Sequence, residues 1–303
     1  MNDRLRMAMV YLLLCIFWPT TWLVIKVTLR GAPPLLGCSL RFLVAGLCLA
    51  GFRLASGYSL RLRRDQWRPV IVVALGYFAI TYAVLYVGET HITAGLAALL
   101  SSTTPLFIII LANFLLPDEA LNWQKLAGVL IGLAGLALVF HGGLSIGSSG
   151  AAVVAMVAIG VSAIGYAYAQ IVVRRDARDV PGVLLNAWAM TIGGLIVLAL
   201  SLVSEPHHID LNAATLGSIV YLALPGTVLP YAGMVWLLKR SSAGTVGLLG
   251  LVLPVIALFE GWLFLSEPLD WALVVGAAIV VGGLLMATLK PKSATVSSQA
   301  GAR

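Results

Sequence analysis

AGLAALLSSTTP, residues 94–105, returns at residues 243–254 as AGTVGLLGLVLP. Aligned without gaps, Ala94, Gly95, Leu99, Leu100 and Pro105 match Ala243, Gly244, Leu248, Leu249 and Pro254. After one residue of slippage, Glu119, Leu121, Trp123, Gly128, Ile131 and Gly135 match Glu267, Leu269, Trp271, Gly276, Ile279 and Gly283. A match carried over so long a stretch marks an internal duplication. The seam between its copies is the Gly/Ser stretch GGLSIGSSG, residues 142–150.

The size of the repeated unit follows from the apolar runs around it. The chain has 303 residues, 60% hydrophobic and only 10% charged, against about 25% charged in an ordinary soluble domain. Too few polar residues are present to cover a globule, and the apolar ones run along nearly the whole length. A membrane helix needs about 20 apolar residues. Breaks at charges, Pro/Gly clusters and polar turns leave ten candidates, near 7–29, 34–54, 69–88, 92–116, 122–141, 150–171, 182–203, 214–237, 243–265 and 270–289. The expected fold is all-α: ten transmembrane helices, five in residues 7–141 and five in 150–289, before a disordered cytoplasmic tail, 290–303. The first helix lacks an Ala-x-Ala cleavage site and is read as retained.

Five is odd, so the second copy enters the membrane from the opposite side. Such an inverted repeat is the architecture of secondary transporters, which alternate access around a site at the midplane. Charge agrees with this topology. With the N-terminus cytoplasmic, Arg4, Arg6, Arg53, Arg61, Arg63, Arg64, Arg68, Lys125, Arg174, Arg175, Arg178, Lys239, Arg240, Lys290, Lys292 and Arg303 gather inside. Only Lys26, Arg30 and Arg41 fall toward the outside, where Glu89, Glu205, Asp210, Glu267 and Asp270 also lie. The net charge of +7 thus reports topology, and no nucleic-acid partner is expected. Cys15, Cys38 and Cys48 sit in apolar runs without metal-ligand spacing and read as small core residues.

Several motifs then resemble those of a known family. Helices 4–5 and 9–10 look like the two EamA domains of the drug/metabolite transporter superfamily. FWPTTWLVIKVTLRGAPPLLGCSLRFLVAG, residues 17–46, is similar to that family's Trp-Gly-x-x-x-x-x-x-Lys then Pro-Pro-x-x-x-x-x-x-Arg-Phe pattern. Pro19 stands where the family commonly has Gly. The resemblance covers residues 7–289 and implies ten helices, both termini cytoplasmic, and export of amino acids or other small metabolites across the bacterial inner membrane.

The candidate site follows from helical spacing. Trp18, Trp22 and Lys26 stack along one face, a stripe about 12 Å long. Trp18 lies too deep for an interfacial belt, and Pro19 removes a backbone hydrogen bond there. Phe78, Tyr82, Tyr86 and Glu89 form a second face, and Ser162, Tyr166 and Gln170 a third. In the register that pairs Lys26 with Arg174, Trp18 meets Tyr166 and Trp22 meets Gln170. A phenol or amide facing lipid would leave its polar group unpaired at a cost of several kcal/mol, so these faces point inward. Helix 4 aligns Gly95, Ala98, Ser102 and Pro105, and helix 9 aligns Gly244, Gly247, Leu251 and Pro254. Small residues allow close packing, and the two prolines are candidate hinges. Ser101 to Thr104 are placed to bond the carbonyls that Pro105 frees.

Ionisable residues inside a membrane are functional candidates by default. Lys26, Arg41 and Glu260 all fall in its outer third. Two readings stay open: an Arg–Glu or Lys–Glu pair closing an outer gate, or Lys26 or Arg41 attracting a substrate carboxylate while Glu260 or Glu89 titrates. Asn186 and Trp188 occupy the repeat positions of Ser39 and Arg41, giving one half a cation and the other an indole. The resulting expectation is a monomeric carrier in lipid with a mainly apolar central cavity. It suits small amphipathic solutes, above all apolar or aromatic amino acids, and needs no cofactor or metal. Sugar phosphates would call for more buried cations, with drugs a further alternative. A channel needs a continuous polar pore. An enzyme is poorly supported: GLSIG, residues 143–147, matches GxSxG, but Ser145 lies in a linker rather than a strand-to-helix turn. His207 and His208 are adjacent and cannot act as an HExxH pair.

Overall fold

Ten hydrophobic segments become ten helices because every backbone N–H must find a partner inside lipid, and a helix satisfies it within one segment. The computed structural model describes residues 3–117, 119, 121–146, 149–206, 208–238, 240 and 249–288. Every regular element among them is helical. Nine of these helices are long and apolar enough to cross a membrane, and Val252–Leu265 belongs to a shorter tenth. Gly244, Gly247, the expected start of the ninth helix, His207 and the tail from residue 290 lie outside the described residues.

Four spans are not plain α-helices. Span α1 has two pieces, Asp3–Phe17 and Thr20–Thr28, parted at Trp18–Pro19. Span α2 is Pro34–Ala55. Span α3 runs Trp67–Val73, then a π-helical stretch Ala74–Thr81, then Tyr82–Gly88. Span α4 is Ala94–Ser101 and Thr104–Leu115, and α5 is Trp123–Ile146. Then come α6 Gly150–Asp176 and α7 Gly182–Ser204. Span α8 runs Ala213–Ala223, a π-helical Leu224–Val228, and Leu229–Leu238. Last are α9 Leu249–Leu265 and α10 Trp271–Thr288.

The candidate hinges differ. Pro105 sits just after the break in α4, whereas Pro254 lies inside the continuous α9. Hydroxyls take up the carbonyls at the break: Ser101 donates to the Ala97 carbonyl (2.8 Å), Ser102 to Leu99 (2.6 Å), Thr103 to Leu100 (2.7 Å) and Thr104 to Ser101 (2.8 Å).

Packing ties the two halves reciprocally. The most extensive contacts are α5 on α10 and α2 on α7, while α6 lies on α3 and α4 as α1 lies on α8 and α9. A Cβ added to Gly128 would stand 2.5 Å from the Gly283 carbonyl oxygen, and one on Gly135 2.8 Å from that of Gly276. The partner number falls as the α5 number rises, so these helices are antiparallel. Each glycine of one copy meets the counterpart of the other glycine, the pattern of a two-fold interface. Only glycine allows such backbone approach.

The two ends of the bundle differ in charge. At the basic end Arg63 bridges Asp65 (2.9 Å) and Asp179 (2.6 Å), and Arg68 pairs with Asp176 at 3.3 Å. Lys125 and Arg174 hold the Glu119 carboxyl below the usual carboxylate range. At the opposite end two acids of the second half cap helices of the first. Glu205 accepts from the N–H of Leu35 (2.8 Å) and Leu36 (3.0 Å), and Glu267 from those of Ala94 (2.6 Å) and Gly95 (3.0 Å). A carboxylate satisfies the free donors of a helix start and complements its dipole. Cys15 and Cys38 are buried, but Cys48 is exposed on the outer face of α2, against the expectation that all three are core residues.

Candidate substrate site

The π-helical stretch of α3 sets the site. Thr81 Oγ1 donates to the carbonyl of Gly76, five residues back, at 2.7 Å. The wider turn places residues five apart on one face, so Tyr77 joins Tyr82, their hydroxyls 3.3 Å apart. Simple four-residue spacing misses this pair. Tyr77 stacks on Tyr166 of α6 with ring centroids 3.8 Å apart. Tyr231 of α8 donates its hydroxyl to that of Tyr77 at 2.8 Å, and Gln170 Nε2 donates to the Tyr166 hydroxyl at 2.9 Å. Four phenols from three helices therefore meet at midspan, each satisfied by another polar group as lipid requires.

Indoles and phenyl rings surround this box. Trp18 lies 6.0 Å from Tyr231 by ring centroids. Phe42 of α2 meets Phe78 at 4.9 Å and Tyr82 at 4.7 Å, both edge-on. Phe78 and Tyr86 are fully buried, but Trp18, Trp22, Tyr82, Tyr166 and Tyr231 keep part of their surface open. The Trp22 indole nitrogen and the Tyr86 hydroxyl are buried without a hydrogen-bond partner.

Arg41 enters from the second π-helical stretch. Its Nε donates to Thr227 Oγ1 at 2.9 Å and its Nη2 to the Gly226 carbonyl at 3.3 Å. The guanidinium carbon sits 4.9 Å from the Tyr82 ring centroid. Lys26 is used differently: its Nζ donates to the backbone carbonyls of Glu89 and Ile92. The expected Arg–Glu or Lys–Glu gate pair does not form, because these backbone and hydroxyl oxygens already take the cations. Among the described residues, no ion pair includes Lys26, Arg41, Glu89 or Glu260. Both carboxylate oxygens of Glu89 and Oε2 of Glu260 are buried and unpartnered. Glu89, with Lys26, Arg30, His91 and Glu267, also borders a cavity of about 650 Å³ at the acidic end.

Two expected site residues lie apart from the box. Trp188 donates its indole N–H to the Leu60 carbonyl at 2.9 Å and packs on Trp67, at the basic end. Asn186 is half-buried and bonds the Gly182 carbonyl of its own helix at 2.9 Å. Ser102 is turned onto its own helix, as described above. Gln170 touches the box from an exposed position. Tyr77, Tyr231, Phe42 and Thr227 were missed by four-residue spacing. A signal for Tyr231 was present, since the register that pairs Ala94 with Ala243 also pairs Tyr82 with Tyr231. No group of three His, Cys, Asp or Glu side chains able to hold a metal occurs among the described residues.

The EamA-like transporter family model matches residues 5–141 and again 153–289. The chain belongs to that family. As an EamA-like transporter it is similar, at 25% identity over 278 residues, to the uncharacterized transporter YoaV of Bacillus subtilis (strain 168), covering 90% of this chain and 93% of that one. It is 28% identical to protein PecM of Dickeya dadantii (strain 3937), over 89% of this chain and 88% of PecM. A transporter of S-adenosylmethionine and S-adenosylhomocysteine from Chlamydia muridarum (strain MoPn / Nigg) is 26% identical, over 88% of this chain and 86% of its own. A crystal structure 24% identical in sequence shares the fold with a TM-score of 0.68, over 93% of this chain and 96% of its own. The chain is a multi-pass membrane transporter of the EamA type.

Proposed function

We propose that this transporter exports small amphipathic metabolites, with apolar and aromatic amino acids as the leading class. The carrying observation is the box of Tyr77, Tyr82, Tyr166 and Tyr231 at midspan, ringed by Trp18, Phe42 and Phe78. Rings offer a flat apolar surface, and phenols that bond one another can exchange those bonds for a solute's polar groups. Two five-helix halves, inverted across the reciprocal α5–α10 and α2–α7 seams, rock about this box to open it to either side. The basic end faces the cytoplasm of a bacterial cell by the positive-inside rule, and the transporter works as a monomer. Pro105, at the break in α4, is the better placed of the two hinges.

A second reading draws on the Chlamydia relative, named for S-adenosylmethionine and S-adenosylhomocysteine. An adenine ring would stack on the same tyrosines. Efflux of labelled phenylalanine, tryptophan, methionine and S-adenosylmethionine from loaded proteoliposomes separates the two. Trp18→Ala and Tyr82→Ala are each expected to slow efflux of the true substrate by about tenfold, equivalent to about 1.4 kcal/mol. Wild-type rates in both variants would remove the box from the pathway.

A further inference from the structure

Among the described residues Arg41 is the largest fully buried side chain, 1% exposed, inside a membrane bundle. A guanidinium there is costly unless its donors and its charge are both met. The donors are met in part. Nε and Nη2 are spent on Thr227 and Gly226, but Nη1 is buried with no partner. No carboxylate touches the charge: no ion pair includes Arg41, and Glu89, whose oxygens contact no donor, acts on it only at longer range. Two electron-rich rings of the box and its surround lie beside it, Tyr82 at 4.9 Å and Phe42 at 5.2 Å from the guanidinium carbon to the ring centroids.

We infer that Arg41 recognises the carboxylate of the transported solute, holding it against the tyrosine box through Nη1. The inference rests on the reading that the solute occupies that box. A carboxylate supplies both missing elements at once, a negative charge and acceptors for a planar donor. Thr227 and Gly226 hold the guanidinium still while the solute comes and goes, so little ordering is needed at binding. Lys26, a second cation within a membrane span, is already bonded to two backbone carbonyls. Arg41 therefore discriminates, and Lys26 fastens α1 to the α3–α4 turn.

Counterflow of labelled L-phenylalanine in proteoliposomes of the full chain tests this, with unlabelled L-phenylalanine and L-phenylalaninamide as competitors. The amide keeps the ring and the amine but lacks the carboxylate. In the wild type the amide should compete about tenfold more weakly than the acid. Arg41→Gln should weaken the acid alone and bring the two within about threefold, with Arg41→Lys between. Equal competition in the wild type would overturn the inference, as would an equal loss for both compounds in Arg41→Gln. Should Arg41→Gln fail to fold, the wild-type comparison and Arg41→Lys decide. Flux of labelled amide without flux of acid keeps the amphipathic-solute reading and overturns the role of Arg41; flux of neither overturns both.

Discussion

The π-helical stretches of α3 and α8 stand at the same point of the two repeats and do different work. In one register Ala74 pairs with Ala223, Leu75 with Leu224 and Tyr82 with Tyr231. Both stretches are closed by a threonine hydroxyl on the carbonyl five residues back, Thr81 on Gly76 and Thr227 on Leu222, each at 2.7 Å. Between those shared points the side chains diverge. The first copy carries Tyr77 and Phe78, which build the aromatic box. The second carries Gly226 and Thr227, whose oxygens hold Arg41. Even the neighbours in α2 divide: Phe42 meets Phe78, while Arg41 meets Thr227, the counterpart of Phe78. Duplication kept the backbone device, a widened turn of the kind common at functional sites, and divergence made one half aromatic and the other cation-holding. That asymmetry would suit the solute proposed above, with a flat apolar part and a charged part.

Breaking the two stretches separately tests the division. Thr227→Val leaves Arg41 Nε without its acceptor in a buried site, and should destabilise the protein by about 1–3 kcal/mol. Thr81→Val removes bonds to Gly76 and Ser162 and should cost only about 0.5–1.5 kcal/mol. Thermal unfolding in detergent reads both, and a larger loss at Thr81 would reverse the assignment. A smaller effect separates the two matched tyrosines. Tyr231 reaches Tyr77 at 2.8 Å and Tyr82 reaches it at 3.3 Å. Tyr231→Phe should therefore weaken solute affinity more than Tyr82→Phe, by up to about 1 kcal/mol, in competition counterflow. The smallest change is expected at Pro225, which stands where the first copy has Gly76. Since α3 keeps its π turn without proline, Pro225→Ala should cost about 0.4–1 kcal/mol in melting and leave the solute preference intact. A changed preference would mean that the proline, not the threonine hydroxyl, shapes the second turn.

Much of the architecture was legible from one-dimensional pattern. Apolar runs of membrane length mark the ten spans, because lipid imposes one length and one secondary structure on every crossing. The repeat could be read for a similar reason: Gly128, Gly135, Gly276 and Gly283 recur where backbones must touch. The inward faces of Trp18, Tyr82 and Tyr166 followed from spacing, since a polar tip cannot face hydrocarbon. Trp188 could not be placed this way. Its indole satisfies the Leu60 carbonyl across 128 residues of sequence, and no local pattern encodes that partner.

By itself, then, the sequence determined the membrane fold, the duplication, the charged ends and the family. Those features rest on solvent preference and helical period, which act on neighbours along the chain. Only the tertiary structure decided that Tyr77 joins Tyr82, that Tyr231 completes the box, and that Arg41 takes Thr227 and Gly226 rather than a glutamate. A π turn shifts the helical register by one residue, and a buried cation bonds whichever oxygen the opposing helix presents. Both outcomes depend on where backbones come together in space.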